Sequence, residues 1–306
     1  MSAEIIDGKA IARQIQHELH RAVQAFRKRT GAAPTLRVLL VGDDPASHSY
    51  VRAKARTCAA VGVEEETLHL PAETPEAKLL SILQKLNADP GVHGILVQLP
   101  LPDHVNTQRI LEAIDPRKDV DGFHPINVGR LALGLPTMEP CTPRGIVELL
   151  HRSGHSPVRK HVVIVGRSNL VGKPLMNMLT RKTERENATV TVCHTGTPDL
   201  APFTRQADIV VVAAGRPNTL TGAMIRPGAV VVDVGVNRID DPDAPRGYRL
   251  VGDVDFDSVR EVAAAVTPVP GGVGPMTTAM LAYNTLLAAC HQVEGLPLGT
   301  APVNET

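Results

Sequence analysis

Short apolar, β-branched runs recur along the chain: RVLLVG (37–42), GILVQLP (94–100), HVVIVG (161–166), TVTVC (189–193), DIVVVAAG (208–215) and AVVVDVG (229–235). Runs this short and this continuously apolar read as strands buried on both faces, the habit of parallel sheets. Amphipathic stretches of helical period lie between them, at 9–29, 45–61, 74–87, 105–114, 143–153, 171–181 and 255–264. The alternation predicts an α/β fold with open, mainly parallel sheets and no internal repeat. PTMEPCTPRG (136–145) is proline-rich and stands just before the strand HVVIVG, so a domain boundary is expected near residue 140. That gives a first domain over 1–140 and a second over 141–274. The last helical run, TTAMLAYNTLLAACHQVE, could return to the first domain; the pattern alone leaves this open.

Composition narrows the class of partner. Lys plus Arg and Asp plus Glu both count 32 in 306 residues, so no basic field exists to attract nucleic acid or an anionic membrane. A small-molecule partner fits better. Cys58, Cys141, Cys193 and Cys290 lie far apart and form no C-x-x-C pair, as expected of reduced thiols in a cytoplasmic protein. MSAEIIDGKAIARQI lacks the apolar core of a signal peptide, and no run approaches a membrane span. Glycine and proline together make up about 16 % of the chain against an average near 12 %, while aromatics are scarce, with four Phe, three Tyr and no Trp. Aliphatic cores and tightly specified turns follow.

HVVIVGRSNLVGKPLMNML is a strand, a glycine-punctuated turn and a helix, the arrangement that sets a helix N-terminus against a pyrophosphate. Its glycine spacing is G-x5-G. Aligned on Gly166, the second and third glycines of G-x-G-x-x-G fall on Ser168 and Val171, so this segment alone is as readily a plain βα turn. The next strand ends in Cys193-His194-Thr195 with no carboxylate to repel a 2′-phosphate, and Arg167 and Lys173 stand nearby. NADP is favoured over NAD. Two more glycine-ended strands, AAG (213–215) and DVG (233–235), would reach the same sheet edge, whereas Leu170 excludes a G-x-S-x-G elbow at Ser168.

A second polar group lies in the first half. Asp44 and Pro45 open a helix on which Tyr50 and Lys54 are i and i+4. Read as lying near the helix N-terminus, Lys54 meets the dipole end that disfavours an ammonium, which makes it a proton-transfer candidate against the plain alternative of a solvated lysine. Gln98 is the one polar residue in an apolar strand and needs a partner. Asp119 and Asp121 flank a D-G turn signal, for which Asx turns are the simpler account. The histidine pairs in HELH (17–20) and HRSGH (151–155) lack both metal-site spacing and a third ligand, so no metal cofactor is expected. TPVPGGVGPMTT (267–278) is either a ligand loop exposing N–H groups or a rigid corner.

Seven segments, VGDDPASHSYVRAK, GILVQLPLP, DVDGFHPINVGRL, PCTPRGIVELL, VVIVGRSNLVGKP, GAVVVDVGVNR and TPVPGGVGPMT, in this order over residues 4 to 290, closely resemble the bifunctional methylenetetrahydrofolate dehydrogenase/methenyltetrahydrofolate cyclohydrolase family. The resemblance implies an N-terminal catalytic α/β domain and a Rossmann-like NADP-binding domain flanking a cleft. It also implies that the last helix (275–295) returns to the first domain, and it implies a homodimer. By the same resemblance Lys54 assists hydrolysis, Gln98 orients it, Tyr50 packs on the folate and Asp121 holds the pterin amino group. Val97, Leu99, Pro270, Gly271, Gly272, Val273, Gly274, Pro275 and Thr277 line the substrate site, and Gly166, Arg167, Ser168, Thr195 and Val236 meet the NADP. RKTERENAT (181–189) is charged and loop-like, and nothing is carried over to it. A dehydrogenase without cyclohydrolase activity and a nonenzymatic NADP sensor are the alternatives; intact Tyr50, Lys54, Gln98 and Asp121 argue against the second.

Overall fold

A computed structural model describes residues 2–244 and 247–298. The chain forms two compact units. One gathers Arg13–Cys141 with the chain from Thr278 on; the other gathers Thr142–Thr277 with the residues up to Ala12.

In the first unit three parallel strands stand in the order Glu64–Leu70, Thr35–Val41, Gly94–Val97. In the central strand Leu36, Val38, Leu39 and Leu40 are all buried. Leu39, Ile95 and Val97 of the sheet pack with Leu79 and Leu83 of the helix Glu76–Ala88 and with Ile110 of the helix Thr107–Glu112. Each such side chain contributes about 1.5–3 kcal/mol when fully buried. Phe26 is the only aromatic among the described core residues, so the scarcity of aromatics is indeed met by aliphatic packing.

The strand Glu64–Leu70 is absent from the expected set. Its sequence EEETLHL lies at the sheet edge, where little of it is deeply buried, so it carries no apolar run. The helix Pro125–Ala132 was likewise not foreseen; the His124 side chain caps it by accepting the Ile126 N–H at 3.1 Å.

The second unit holds a six-stranded parallel sheet in the order Glu4–Ile5, Ala265–Val266, Val230–Asp233, Ile209–Val212, His161–Val165, Thr189–Cys193. An antiparallel ribbon of Asn237–Asp240 and Tyr248–Val251 stands beside it in the sequence. Numbered from His161–Val165, the strands run 2-1-3-4-5, a doubly wound order. Its topological switch point lies between His161–Val165 and Ile209–Val212, beyond whose carboxyl ends ligands collect in such sheets. The first residues, expected with the first domain, extend this sheet instead, because Glu4–Ile5 pairs with Ala265–Val266. A two-residue strand has no period to read.

The division of the chain falls inside three helices, after the first residue of Cys141–Arg152 and within Gly8–Thr30 and Val273–Glu294. In the last of these Asn284 is fully buried, and its Nδ2 donates to the carbonyls of Val120 and Glu139, each at 2.8 Å. One amide thus ties the two segments on either side of the 121–138 loop. Asn284→Ala is expected to remove both hydrogen bonds, with the Cys141 thiol still 3.3 Å from Val120 O, and to lower unfolding free energy in urea by about 1–3 kcal/mol. A loss below about 0.5 kcal/mol, the range of ordinary surface changes, would show that this tie is not needed.

Candidate functional site

The helix Pro45–Val61 starts sharply because Asp44 accepts the Ser47 N–H at 2.7 Å with Pro45 in the first turn, and it stops at Gly62, whose φ is +87°. Tyr50 and Lys54 lie one turn apart on it, and Tyr50 is 43 % exposed, an aromatic ring available to a planar ligand. Lys54 lies nine residues after Pro45, about 13 Å along the axis, so the helix dipole does not reach it. Its environment is set by side chains instead.

Gln98 is buried, and its N–H extends the ladder by donating to Leu39 O at 2.8 Å. Its Oε1 accepts from Lys54 Nζ at 2.9 Å while its Nε2 donates to Leu99 O at 2.7 Å, beside the cis Leu99–Pro100 peptide. Both ends of the amide are fixed, so only the oxygen faces the lysine. Val97 belongs to the apolar core and Leu99 packs against it, so Val97 has only backbone to offer a ligand.

The two aspartates of the D-G turn divide the readings between them. Asp119 is buried and accepts from Gly122 N at 3.1 Å, His124 N at 2.8 Å and Asn127 Nδ2 at 2.9 Å, the work of a turn acid. Asp121 is left to face Lys54. Burial pushes its carboxyl up, opposed by the Lys54 charge and by a hydrogen bond with the Cys141 thiol. Cys141, pushed well above the ordinary thiol range by burial and then by Asp121, stays a neutral group there. Sequence reading treated Cys141 only as a buried thiol; nothing in its spacing pointed to Asp121.

In the other unit, the segment after Ala265–Val266 is a tight corner. Gly271 has φ +118°, a Cβ on Gly272 would lie 2.7 Å from Pro268 O, and one on Gly8 would lie 1.9 Å from Gly272 O. Lys9 N donates to Gly271 O at 3.1 Å, the Val269–Pro270 peptide is cis, and Thr277 Oγ1 meets Thr142 Oγ1 at 3.0 Å. Gly271, Gly272 and Val273 are buried, whereas Pro270 and Gly274 are exposed and Pro275 is half-buried. The corner is rigid, and part of it faces outward.

At the switch point Gly166 has φ +130°, and a Cβ there would lie 2.2 Å from Ala213 O. A Cβ on Gly172 would lie 2.1 Å from Gly166 O. The helix Gly172–Leu179 therefore packs on the turn through Gly172, one residue beyond the aligned third glycine, which explains the G-x5-G spacing. Arg167 and Ser168 are exposed, and Ser168 Oγ accepts from Val171 N at 3.1 Å. Lys173 is engaged by Asn169 Oδ1 at 2.7 Å. Thr195 and Val236 are exposed beyond the ends of Thr189–Cys193 and Val230–Asp233, two strands that have two others between them in the sheet.

His194 adds a feature that residue types did not convey. Its Nδ1 accepts the Gly196 N–H at 3.0 Å, so in the neutral ring the proton sits on Nε2, and that Nε2 lies 3.4 Å from Arg167 Nη1. Two donors converge with no acceptor between them, the donor set an anionic oxygen satisfies. With no carboxylate at this strand end, the residues fit a dinucleotide bearing a 2′-phosphate.

Two buried carboxylates hold this edge together. Asp233 accepts from Gly235 N, Asp253 N and Val254 N at 2.9–3.0 Å, and Asp253 accepts from Ala214 N at 2.7 Å, Gly215 N at 2.8 Å and Asn237 Nδ2 at 2.8 Å. Burial, with Asp253 adding to it, pushes Asp233 up to about 6 against the pull of its N–H donors. The histidines set aside as metal ligands do not converge: His17 and His20 are exposed on their helix, His151 meets Arg185 O at 2.6 Å, and His155 lies 3.5 Å from Glu4.

The family description "Tetrahydrofolate dehydrogenase/cyclohydrolase, catalytic domain" matches residues 6–121, and "Tetrahydrofolate dehydrogenase/cyclohydrolase, NAD(P)-binding domain" matches residues 140–293. The bifunctional protein FolD of Chlorobium phaeovibrioides is 54 % identical over 284 residues, 92 % of this chain and 96 % of its own. That of Salinibacter ruber is 54 % identical over 287 residues, 94 % of this chain and 96 % of its own. Among solved structures, the bifunctional FolD methylenetetrahydrofolate dehydrogenase/cyclohydrolase of Campylobacter jejuni matches with a TM-score of 0.88 at 48 % identity, covering 94 % of this chain and 99 % of that one. The Trypanosoma brucei methylenetetrahydrofolate dehydrogenase-cyclohydrolase, described as complexed with NADP cofactor and inhibitor, matches with a TM-score of 0.90 at 42 % identity, covering 96 % and 99 %. With both halves matched, the chain belongs to the tetrahydrofolate dehydrogenase/cyclohydrolase family.

Proposed function

We infer that this chain oxidises 5,10-methylenetetrahydrofolate to the 5,10-methenyl cation with NADP and then hydrolyses that cation to 10-formyltetrahydrofolate. The observation that carries the reading is the 2.9 Å contact between Lys54 Nζ and the fixed Gln98 oxygen, with Asp121 facing the same lysine. Bound NADP supplies the hydride acceptor. The folate nitrogens expel the hydride, so the first step asks the protein for positioning more than for a base. In this reading Tyr50 stacks on the folate and Asp121 holds the pterin amino group; Pro270–Thr277 is assigned to the substrate on the resemblance.

Hydrolysis differs, because water must lose a proton as it adds and a ring nitrogen must leave with one. A lysine on a single acceptor oxygen, beside a carboxyl group whose charge burial disfavours, has its ammonium protons aimed but not locked into a strong ion pair. That suits it to passing a proton. Gly166, Arg167, Ser168, Thr195 and Val236 are assigned to NADP, with Arg167 and His194 on the 2′-phosphate. Among the described residues no helix is long and apolar enough to cross a membrane. A homodimer located in the cytoplasm belongs to the same reading and is supported by the resemblance.

Lys54→Met is expected to abolish methenyltetrahydrofolate hydrolysis while leaving NADP affinity in place, measured by the decay of methenyl absorbance and by equilibrium titration. Unchanged hydrolysis would remove Lys54 from the mechanism. Arg167→Ala should weaken NADP binding by about 1.5–3 kcal/mol, the value of a lost charged hydrogen bond, with little effect on NAD. Equal losses for both dinucleotides would defeat the 2′-phosphate assignment.

A further inference from the structure

The helix that carries Tyr50 and Lys54 begins beside a group of metal-ligating side chains that the folate chemistry does not use. Parallel pairing sets Val41 opposite Leu70, and Gly42 N continues the ladder to Leu70 O at 2.9 Å, which brings Gly42, Asp43 and His69 to one sheet edge. His48, in the first turn of the helix Pro45–Val61, comes round to the same point. Asp43 Oδ1 lies 3.4 Å from His48 Nε2 and 3.1 Å from His69 Nε2, and Gly42 O lies 3.1 Å from His69 Nε2. The three side-chain donor atoms all fall within 4.8 Å of one another, and the two imidazoles meet edge to face with centroids 5.1 Å apart.

Hydrogen bonding alone accounts poorly for this arrangement. One exposed carboxylate oxygen serves two ring nitrogens, and 3.4 Å exceeds the ordinary N–H···O range of about 2.7–3.2 Å. An ion bound at about 2.0–2.2 Å by nitrogen and oxygen in a tetrahedron instead needs donors about 3.3–3.5 Å apart, close to the 3.4 and 3.1 Å that separate Asp43 from the two histidines. Two imidazoles and a carboxylate suit a borderline divalent ion such as zinc far better than magnesium or calcium, which take oxygen ligands.

We propose that Asp43, His48 and His69 bind one divalent transition-metal ion, with the Gly42 carbonyl or a water at the fourth corner. The ion would pin the first turn of the Lys54 helix to the edge strand Glu64–Leu70. Binding to the folded chain alone would raise its stability in proportion to the logarithm of ion concentration above the dissociation constant. The site is separate from the reacting groups, so it is a structural or regulatory clamp.

Titration of the full chain with zinc chloride, by calorimetry and by thermal melting, tests the proposal. One zinc per chain is expected at this site, with a rise in melting temperature; His48→Gln and His69→Gln should each weaken binding at least about tenfold and remove the rise, while metal-free dehydrogenase activity is kept. The exposed His17 and His20 provide an internal control. Zinc binding that survives in the double variant, that is lost in His17→Gln, or that is not detected at all would overturn the assignment. Should either histidine variant fold poorly, Asp43→Asn, on an exposed loop, carries the same expectation.

Discussion

Both units depend on one constraint: where parallel strands end and the chain turns into loops, backbone N–H groups are left pointing inward and must find acceptors. Buried aspartates answer it. Asp119 takes two such groups and an amide, Asp233 takes three, and Asp253 takes two and an amide. A buried donor left unpaired costs about 1–3 kcal/mol, and a buried carboxylate is tolerable only when it is hydrogen-bonded, so each side of the arrangement requires the other. The carboxylates also exclude side chains around them: a Cβ on Gly252 would lie 1.8 Å from Asp233 Oδ2, and one on Gly235 would lie 2.2 Å from Asp253 Oδ1. Of the glycine-ended strands in the nucleotide-binding sheet, Val230–Asp233 is thus followed by a glycine, Gly235, that these acids demand, whereas Gly166 makes room for Ala213 O and Gly215 meets no such neighbour. The same logic relocates part of the glycine excess from loops in general to a few strand ends.

This constraint also separates two kinds of aspartate around Lys54. Asp119 satisfies the turn, and by doing so it leaves Asp121 unclaimed by backbone N–H groups and turned toward Lys54 and Cys141. Lys54 is then poised by side chains on three segments: Gln98 after a strand, Asp121 in a loop, and its own helix. At the nucleotide end the device is different. There the His194 tautomer and the guanidinium of Arg167 present donors to a shared point, and the proposed selectivity for a phosphate would rest on an acceptor that the protein itself does not supply.

Much of this was legible in the sequence, and what was not has physical reasons. The strands HVVIV, IVVV and VVVD announced themselves because burial on both faces leaves them apolar except at the outermost positions, His161 and Asp233. Glu64–Leu70 did not, since an edge strand is exposed along much of its length, and Glu4–Ile5 is too short to carry a pattern. Tyr50, Lys54 and Gln98 stood out through helical spacing and through one amide in an apolar run. Their environment did not, because the dipole argument placed Lys54 near a helix start that lies about two and a half turns away. His194, Asp233 and Asp253 needed coordinates: each matters through a contact with residues distant in sequence, which no local periodicity records, and Gly172 needed them to show its close approach to Gly166 O.

The central claim is that one chain couples NADP-dependent oxidation to hydrolysis. Following NADPH and methenyltetrahydrofolate together, after mixing the protein with 5,10-methylenetetrahydrofolate and NADP, tests it most directly. The account predicts NADPH formation, only a small transient of the methenyl cation and 10-formyltetrahydrofolate as the end product, with NAD a much poorer oxidant. Absence of NADP reduction, or methenyl accumulating in step with NADPH and no formyl product, would contradict it.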